Sequence, residues 1–163
     1  MPNPESPPVR MAVLTLIEQN GKFLLIQESK PSCRHKWFLP GGMVLSGESI
    51  LDAAVREARE ETGLAVELTG LLYLEQLTGS PEAGSAGRIR LVFLGEAAGG
   101  TLKQNEDEHS IRAGWFSEEE ISRLDLRSPF VRKVVEINRG DPAILPISKI
   151  HTLSPEELLL ERP

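Results

Sequence analysis

Between Gly42 and Leu64 the chain places Glu48, Arg56, Glu57, Glu60 and Glu61 among small and apolar residues and closes on Gly63. Glu57, Glu60 and Glu61 fall within five consecutive positions. Carboxylates at this density suit a hard divalent cation such as Mg²⁺, which takes oxygen ligands, keeps several waters and leaves room for substrate phosphates. An ion held in this way neutralises phosphate charge and lowers the pKa of a bound water. A carboxylate beside it can accept that water's proton.

These acids must be positioned by a helix, which the spacing predicts over about residues 48–62. Ser46 or Ser49 offers an N-cap, and Gly63 sits where a C-terminal glycine belongs. Leu51, Ala54, Val55, Ala58 and Thr62 recur at three- and four-residue spacing and form one apolar face. At about 100° per residue, Glu57, Glu60 and Glu61 share an arc of roughly 100° beside that face. Glu57 and Glu61 are i,i+4 neighbours, an arrangement that costs roughly 0.2–0.5 kcal/mol on an exposed helix. They also lie in the last two turns, where the helix dipole disfavours anions. Taken alone, the charge run reads as a solvated, glutamate-rich helix face. A divalent cation would turn the same conflict into a site, and such local conflicts concentrate where function is carried.

The complete spacing is Gly42, five residues, Glu48, seven residues, Arg56-Glu57, an apolar residue, any residue, Glu60-Glu61, any residue, Gly63 and an apolar residue. It resembles the Nudix hydrolase signature at every fixed position. The resemblance extends upstream through Trp37-Phe38-Leu39-Pro40-Gly41-Gly42 and downstream to Gly114-Trp115-Phe116-Ser117-Glu118-Glu119. It implies an α/β fold, an α/β/α sandwich with a mixed sheet. It also implies Mg²⁺-dependent hydrolysis, with Mn²⁺ as a possible substitute, of a nucleoside diphosphate linked to another moiety. Carried over residue by residue, it makes Glu57, Glu60, Glu61 and the backbone carbonyl of Gly41 the metal ligands. Glu48 and Arg56 become the pair that supports them. The general base stays open between Glu57, Glu60 and an acid of a downstream loop. Glu106, Asp107 and Glu108 supply that loop, with Glu108 the candidate, although a solvated loop would read the same way.

The substrate is less sharply written. Arg88 and Arg90 alternate on a predicted strand and so face the same side. With Arg34 and Lys36 they are candidates to meet phosphates. Trp37 and Trp115 could stack on a base, but such residues are more often core anchors. Pro81 lies seventeen residues beyond Leu64, near but not at the proline position that marks the ADP-ribose branch of the family. The extra upstream motif of the coenzyme A branch is absent. Leu24–Lys30 and Trp37–Gly42 are most similar to the branch that removes oxidised or otherwise non-standard nucleoside di- and triphosphates. The expected substrate is therefore a modified nucleoside di- or triphosphate, with ADP-ribose or another nucleoside diphosphate sugar as the alternative. Two further readings are a nucleotide-sensing module without turnover and action on RNA ends. The first conflicts with a complete set of acids. The second lacks a basic stripe with interleaved aromatics.

Composition bounds these readings. A chain of 163 residues with 40% apolar and 26% charged residues suits one globular domain. The net charge of −6 argues against a broad electrostatic grip on nucleic acid, though not against a nucleotide at a local cation site. Cys33 is the only cysteine, which excludes an intrachain disulfide and agrees with a reducing, cytoplasmic setting. The apolar run from Met11 to Ile17 is too short to span a bilayer. Along the chain, residues 1–8 read as a proline-rich lead-in, 9–140 as the domain and 141–163 as an extension. Asn20-Gly21 predicts a tight hairpin between strands at 9–18 and 22–27. Pro40-Gly41-Gly42 reads as a stop after a short strand, and Gly99-Gly100 as a turn. Ser117 opens a capped helix, and 128–138 a second amphipathic one. Ser154-Pro155-Glu156-Glu157 starts a short helix whose leucines must pack on the domain or on a second copy, giving a possible homodimer.

Overall fold

The computed structural model describes residues 9–80 and 86–153. The expected lead-in at 1–8, the expected helix at 154–163 and Pro81 lie outside the described residues.

Among the described residues, eight strands and three α-helices follow one another. The strands are β1 (Val9–Gln19), β2 (Lys22–Glu28), β3 (Trp37–Phe38), β4 (Gly41–Met43), β5 (Leu64–Leu77), β6 (Gly87–Gly100), β7 (Ser110–Phe116) and β8 (Leu145–Pro146). The helices are α1 (Ile50–Thr62), α2 (Glu118–Arg123) and α3 (Phe130–Arg139). The sheet runs β3-β2-β1-β6-β5-β8, with β4 joined to β1 and β7 to β2. It is mixed. β1 and β6 run parallel from Val9 opposite Gly87 to Ile17 opposite Gly95, and the other pairs are antiparallel.

Both faces of the sheet are covered, which explains the unbroken apolar runs in β1 and β2. Leu14 and Leu16 of β1, with Phe23 and Leu25 of β2, pack against Val131, Val134 and Val135 of α3. The intervening residues point the other way. Val13 meets Ala53 and Ala54 of α1, while Ile17, Leu24 and Ile26 gather with Ala58. Helices on both sides of the sheet make the expected α/β/α sandwich.

Local sequence accounts for the chain reversals. Asn20 and Gly21 both take positive φ, 52° and 73°, as a two-residue hairpin between right-twisted strands requires. Ser117 and Glu120 complete a capping box at the start of α2. Two turn expectations are corrected. β3 does stop at Phe38, before Pro40, but Gly41 and Gly42 then begin β4, paired with Leu14 and Val13 of β1, instead of forming part of a turn. Gly99 and Gly100 finish β6 opposite Ala65 and Leu64, so they extend the β5–β6 ladder instead of turning away from it. Beyond α3, Leu145 and Pro146 pair with Leu71 and Gly70, so part of the stretch after residue 140 adds an edge to the sheet. No helix among the described residues is long and apolar enough to cross a membrane.

Because both faces of β2 are buried, Leu24→Ala and Leu25→Ala should each cost about 2–5 kcal/mol. Chemical denaturation would check this. In a sheet with one wet face, one of these neighbours would be close to neutral.

Candidate active site

Ser49 fixes the start of α1 by accepting a hydrogen bond from the Asp52 amide at 3.0 Å. Gly63 ends it in the left-handed region at φ 76°, donating to the Arg59 carbonyl. Of the two serines that could cap the helix, the chain uses Ser49. Burial of Ala53, Ala54 and Ala58 sets the rotation of α1 and turns its acids toward β4. Glu61 is 3% exposed, and its Oε2 accepts from the Gly41 amide at 2.8 Å. The Glu57 carboxyl lies against Gly42, where an added Cβ would come within 2.3 Å of Glu57 Oε1. Gly41 has φ 153°, and a Cβ there would sit 2.2 Å from the Val13 carbonyl oxygen. The two glycines are therefore demanded by close approach of α1 and β1 to β4.

The repulsion expected along α1 is met first by a cation of the helix itself. Arg56 grips Glu48 in bidentate fashion, Nε to Oε1 at 2.7 Å and Nη2 to Oε2 at 2.9 Å. Its Nη1 donates to Glu57 Oε1 at 2.9 Å and to Glu60 Oε2 at 3.1 Å, and Nη2 also donates to the Met43 carbonyl at 3.2 Å. Glu48 accepts a further bond from the Leu45 amide. The Arg56 bond, against a modest desolvation effect, holds Glu48 below the usual carboxylate range. Glu48 in turn raises the pKa of Arg56, with Glu57 adding to the effect against desolvation.

Glu61 stands apart from this hub. Burial, with the charges of Glu57 and Glu28, pushes its pKa up to about 8, opposed by the Gly41 amide and Lys30. Among the described residues, no three His, Cys, Asp or Glu side chains are already gathered as a metal cage. The acids are turned to Arg56 and to the Gly41 amide. The donor set nevertheless fits a hard divalent cation. It is all oxygen, three carboxylates share one guanidinium, and Glu61 makes no ion pair among the described residues.

The loop before β7 closes the end of α1. Lys103 donates to the Glu60 carbonyl at 3.0 Å and pairs with Asp107, and the Ser110 hydroxyl donates to the Glu61 carbonyl at 2.7 Å. Asp107 is partly desolvated, which opposes ionisation, yet bonds from Lys103 and the amides of His109 and Ser110 bring its pKa down to about 2. Of the three loop acids, Glu108 is 87% exposed and reaches the α1 acids only across His109. The His109 Nδ1 stands 3.7 Å from Glu60, and its Nε2 stands 3.5 Å from Glu108. Sequence reasoning passed over His109, Lys103 and Ser110. A lone histidine beside the acid run was the available signal.

The predicted phosphate contacts divide. Arg34 is tied to Glu106 at 2.8 Å, and Lys36 to Asp125 at 3.8 Å. Arg88 and Arg90 line a cavity of about 330 Å³ that borders Gly41 and Gly42. Arg10, Lys30 and Arg127, none of them anticipated, line it too. Arg90 bonds Glu75 at 3.0 Å, lies 4.3 Å over the Phe130 ring, and has its pKa lowered by burial and by the charges of Arg88 and Arg127, against Glu75. Trp37 is an edge-to-face core partner of Phe116, and Trp115 packs at the margin of the α1-side core.

This geometry agrees with comparison to known proteins. The sequence matches the NUDIX domain over residues 6–136. The fold superposes on a NUDIX hydrolase from Nitrosomonas europaea with a TM-score of 0.77 and 27% identity, covering 90% of this chain and 98% of that one. The 8-oxo-dGDP phosphatase NUDT18 of Mus musculus is 35% identical over 129 residues, 78% of this chain and 38% of that protein. An ADP-ribose pyrophosphatase of Methanocaldococcus jannaschii is 38% identical over 98 residues, 60% of this chain and 56% of that protein. The chain belongs to the Nudix hydrolase family. It spans well under half the length of the mouse relative.

Two outcomes follow. Glu61 has a folded pKa above its unfolded value, so it holds in the native state a proton that the unfolded chain releases. Its contribution to stability is present at acidic pH and lost as pH rises from about 4.5 to about 8. Denaturation of metal-free protein across this range should show the decline, and Glu61→Gln should flatten it. Gly42→Ala forces the Glu57 carboxyl aside and should lower stability by about 1–3 kcal/mol, measured by thermal unfolding.

Proposed function

We propose that the protein is a divalent-metal-dependent pyrophosphohydrolase that acts on a nucleoside diphosphate linked to another moiety. A modified nucleoside di- or triphosphate is the preferred substrate. The observation that carries this reading is the adjacency of two opposite charge clusters. Glu57 and Glu61 stand against one side of the Gly41-Gly42 backbone, and an arginine-lined cavity opens beside it.

Glu57, Glu60, Glu61 and the Gly41 carbonyl would hold Mg²⁺, or Mn²⁺ in its place. The ion would supply charge neutralisation on the diphosphate and activation of a water. The chain's own part is positioning. Arg56 keeps Glu57 and Glu60 oriented on one guanidinium, and Glu48 anchors Arg56 through both of its oxygens. Burial holds Glu61 beside Gly41 and away from bulk water. The base that would accept the proton of an attacking water is one of Glu57, Glu60 and Glu108; the greater exposure of the Glu60 side chain, 33% against 14% for Glu57, and the approach of Glu108 across His109 support the latter two. The cavity arginines receive substrate charge.

The 8-oxo-dGDP phosphatase relative supports the preferred substrate. The archaeal ADP-ribose pyrophosphatase relative supports the alternative, a nucleoside diphosphate sugar. A sensor without turnover fits less well, since every acid of the signature is present, three of them bonded to Arg56 and Glu61 held by the Gly41 amide. Phosphate or nucleotide release across a nucleotide panel, with Mg²⁺ and with EDTA, tests the proposal. Turnover should require the ion. Glu57→Gln and Glu60→Gln should each lower kcat by ~100-fold or more, the scale of losing a group that acts on transition-state charge. Because charge is removed without change of shape, their metal-free thermal midpoints should not fall. Full Mg²⁺-dependent activity in either variant would show the ligand assignment to be wrong.

A further inference from the structure

The cavity beside Gly41 carries more positive charge than the protein neutralises. Arg90 is paired with Glu75, and Arg127 with the buried Glu28 at 2.6 Å. Arg10, Lys30 and Arg88 line the same space, and among the described residues none of the three side chains has a hydrogen bond or a carboxylate within ion-pair distance. Arg88 is half-buried, so water relieves its charge incompletely. Like charges facing one cavity are unfavourable unless an anion joins them, which mirrors the excess of acids on the far side of β4.

A diphosphate flanked on both sides by organic groups carries about one negative charge per phosphate. An unesterified terminal phosphoryl group approaches two near neutral pH and offers three acceptor oxygens. Arginine and lysine bind such a group through charge-assisted bonds of about twice the ordinary strength. We infer that Arg10, Lys30 and Arg88 form a subsite for a free terminal phosphoryl group, so that the protein selects nucleotides ending in a free phosphate over nucleoside diphosphate sugars. The inference rests on the pyrophosphohydrolase reading and deepens it, because it chooses between the two substrate classes that reading leaves. Arg88, on the central strand β6, is the main selectivity determinant, and Lys30 the second. Arg90 and Arg127, already held by carboxylates and lying on Phe130 and Phe38, frame the wall.

Calorimetric titration of the protein in EDTA with ADP and with ADP-ribose tests this directly. The two ligands share base, ribose and diphosphate and differ in the terminal ester. ADP should bind at least tenfold more tightly, with an affinity that falls as salt rises. In Arg88→Gln and Lys30→Gln the ratio of the two affinities should drop toward one, without loss of thermal midpoint, because neither side chain bonds to the rest of the protein. Equal affinities in the unaltered protein, a ratio unchanged by both substitutions, or no detectable binding of ADP would each overturn the subsite. Absence of Mg²⁺-dependent turnover with either nucleotide, beside an intact binding preference, would instead count against the hydrolytic reading alone.

Discussion

Mutual repulsion of carboxylates on α1 is the constraint around which the site is built. Four acids within two helical turns and the preceding loop would push one another into solvent if left alone. Arg56 prevents this. Its single guanidinium meets Glu48, Glu57 and Glu60, and also the Met43 carbonyl. A lysine could not do the same, since only a planar fork reaches several partners in fixed directions. The arrangement leaves a surplus of negative charge, and Glu61 is excluded from the hub altogether. The protein thus holds its acids close together while leaving their total charge uncompensated, which is the condition a divalent cation would meet.

The rest of the fold serves that closeness. Parallel pairing of β1 with β6 gives a sheet buried on both faces, and β4 adds to β1 where two glycines let α1 approach. The Glu57 carboxyl then lies directly on backbone. The loop from Lys103 to Ser110 fastens the C-terminal end of α1 through its orphan carbonyls at Glu60 and Glu61. The opposite cluster, Arg88 with Arg10, Lys30, Arg90 and Arg127, reaches the same glycines from another direction. A polyanionic ligand spanning the two clusters would meet a cation held by the α1 acids on one side and the arginines on the other.

Much of this was legible in the residues. A serine N-cap at position 46 or 49, the closing Gly63, the Asn20-Gly21 hairpin and the Ser117 capping box each follow from local chemistry, and the spacing of acids on α1 carries the family. What could not be read depends on contacts distant in sequence. Gly41 and Gly42 carry turn chemistry but are captured by β1, because pairing there satisfies backbone groups that a turn would leave buried. Arg34 has the charge expected of a phosphate contact but lies within reach of Glu106, seventy-two residues away. Arg127 and Lys30 have no shared sequence pattern with Arg88; only the packing of β2, β6 and the segment before α3 brings them to one cavity. His109 is a single residue without periodicity, visible only when the loop is seen against Glu60.

The architecture of the site turns on whether the α1 acids are gathered to receive a divalent cation. Titration of Mn²⁺ into the protein, followed by loss of the free-ion electron paramagnetic signal, tests it most directly. The expected result is saturable uptake that Mg²⁺ competes away and that Glu57→Gln and Glu60→Gln each weaken. A free-ion signal that tracks added Mn²⁺ from the start, identically in the unaltered protein and both variants, would contradict it.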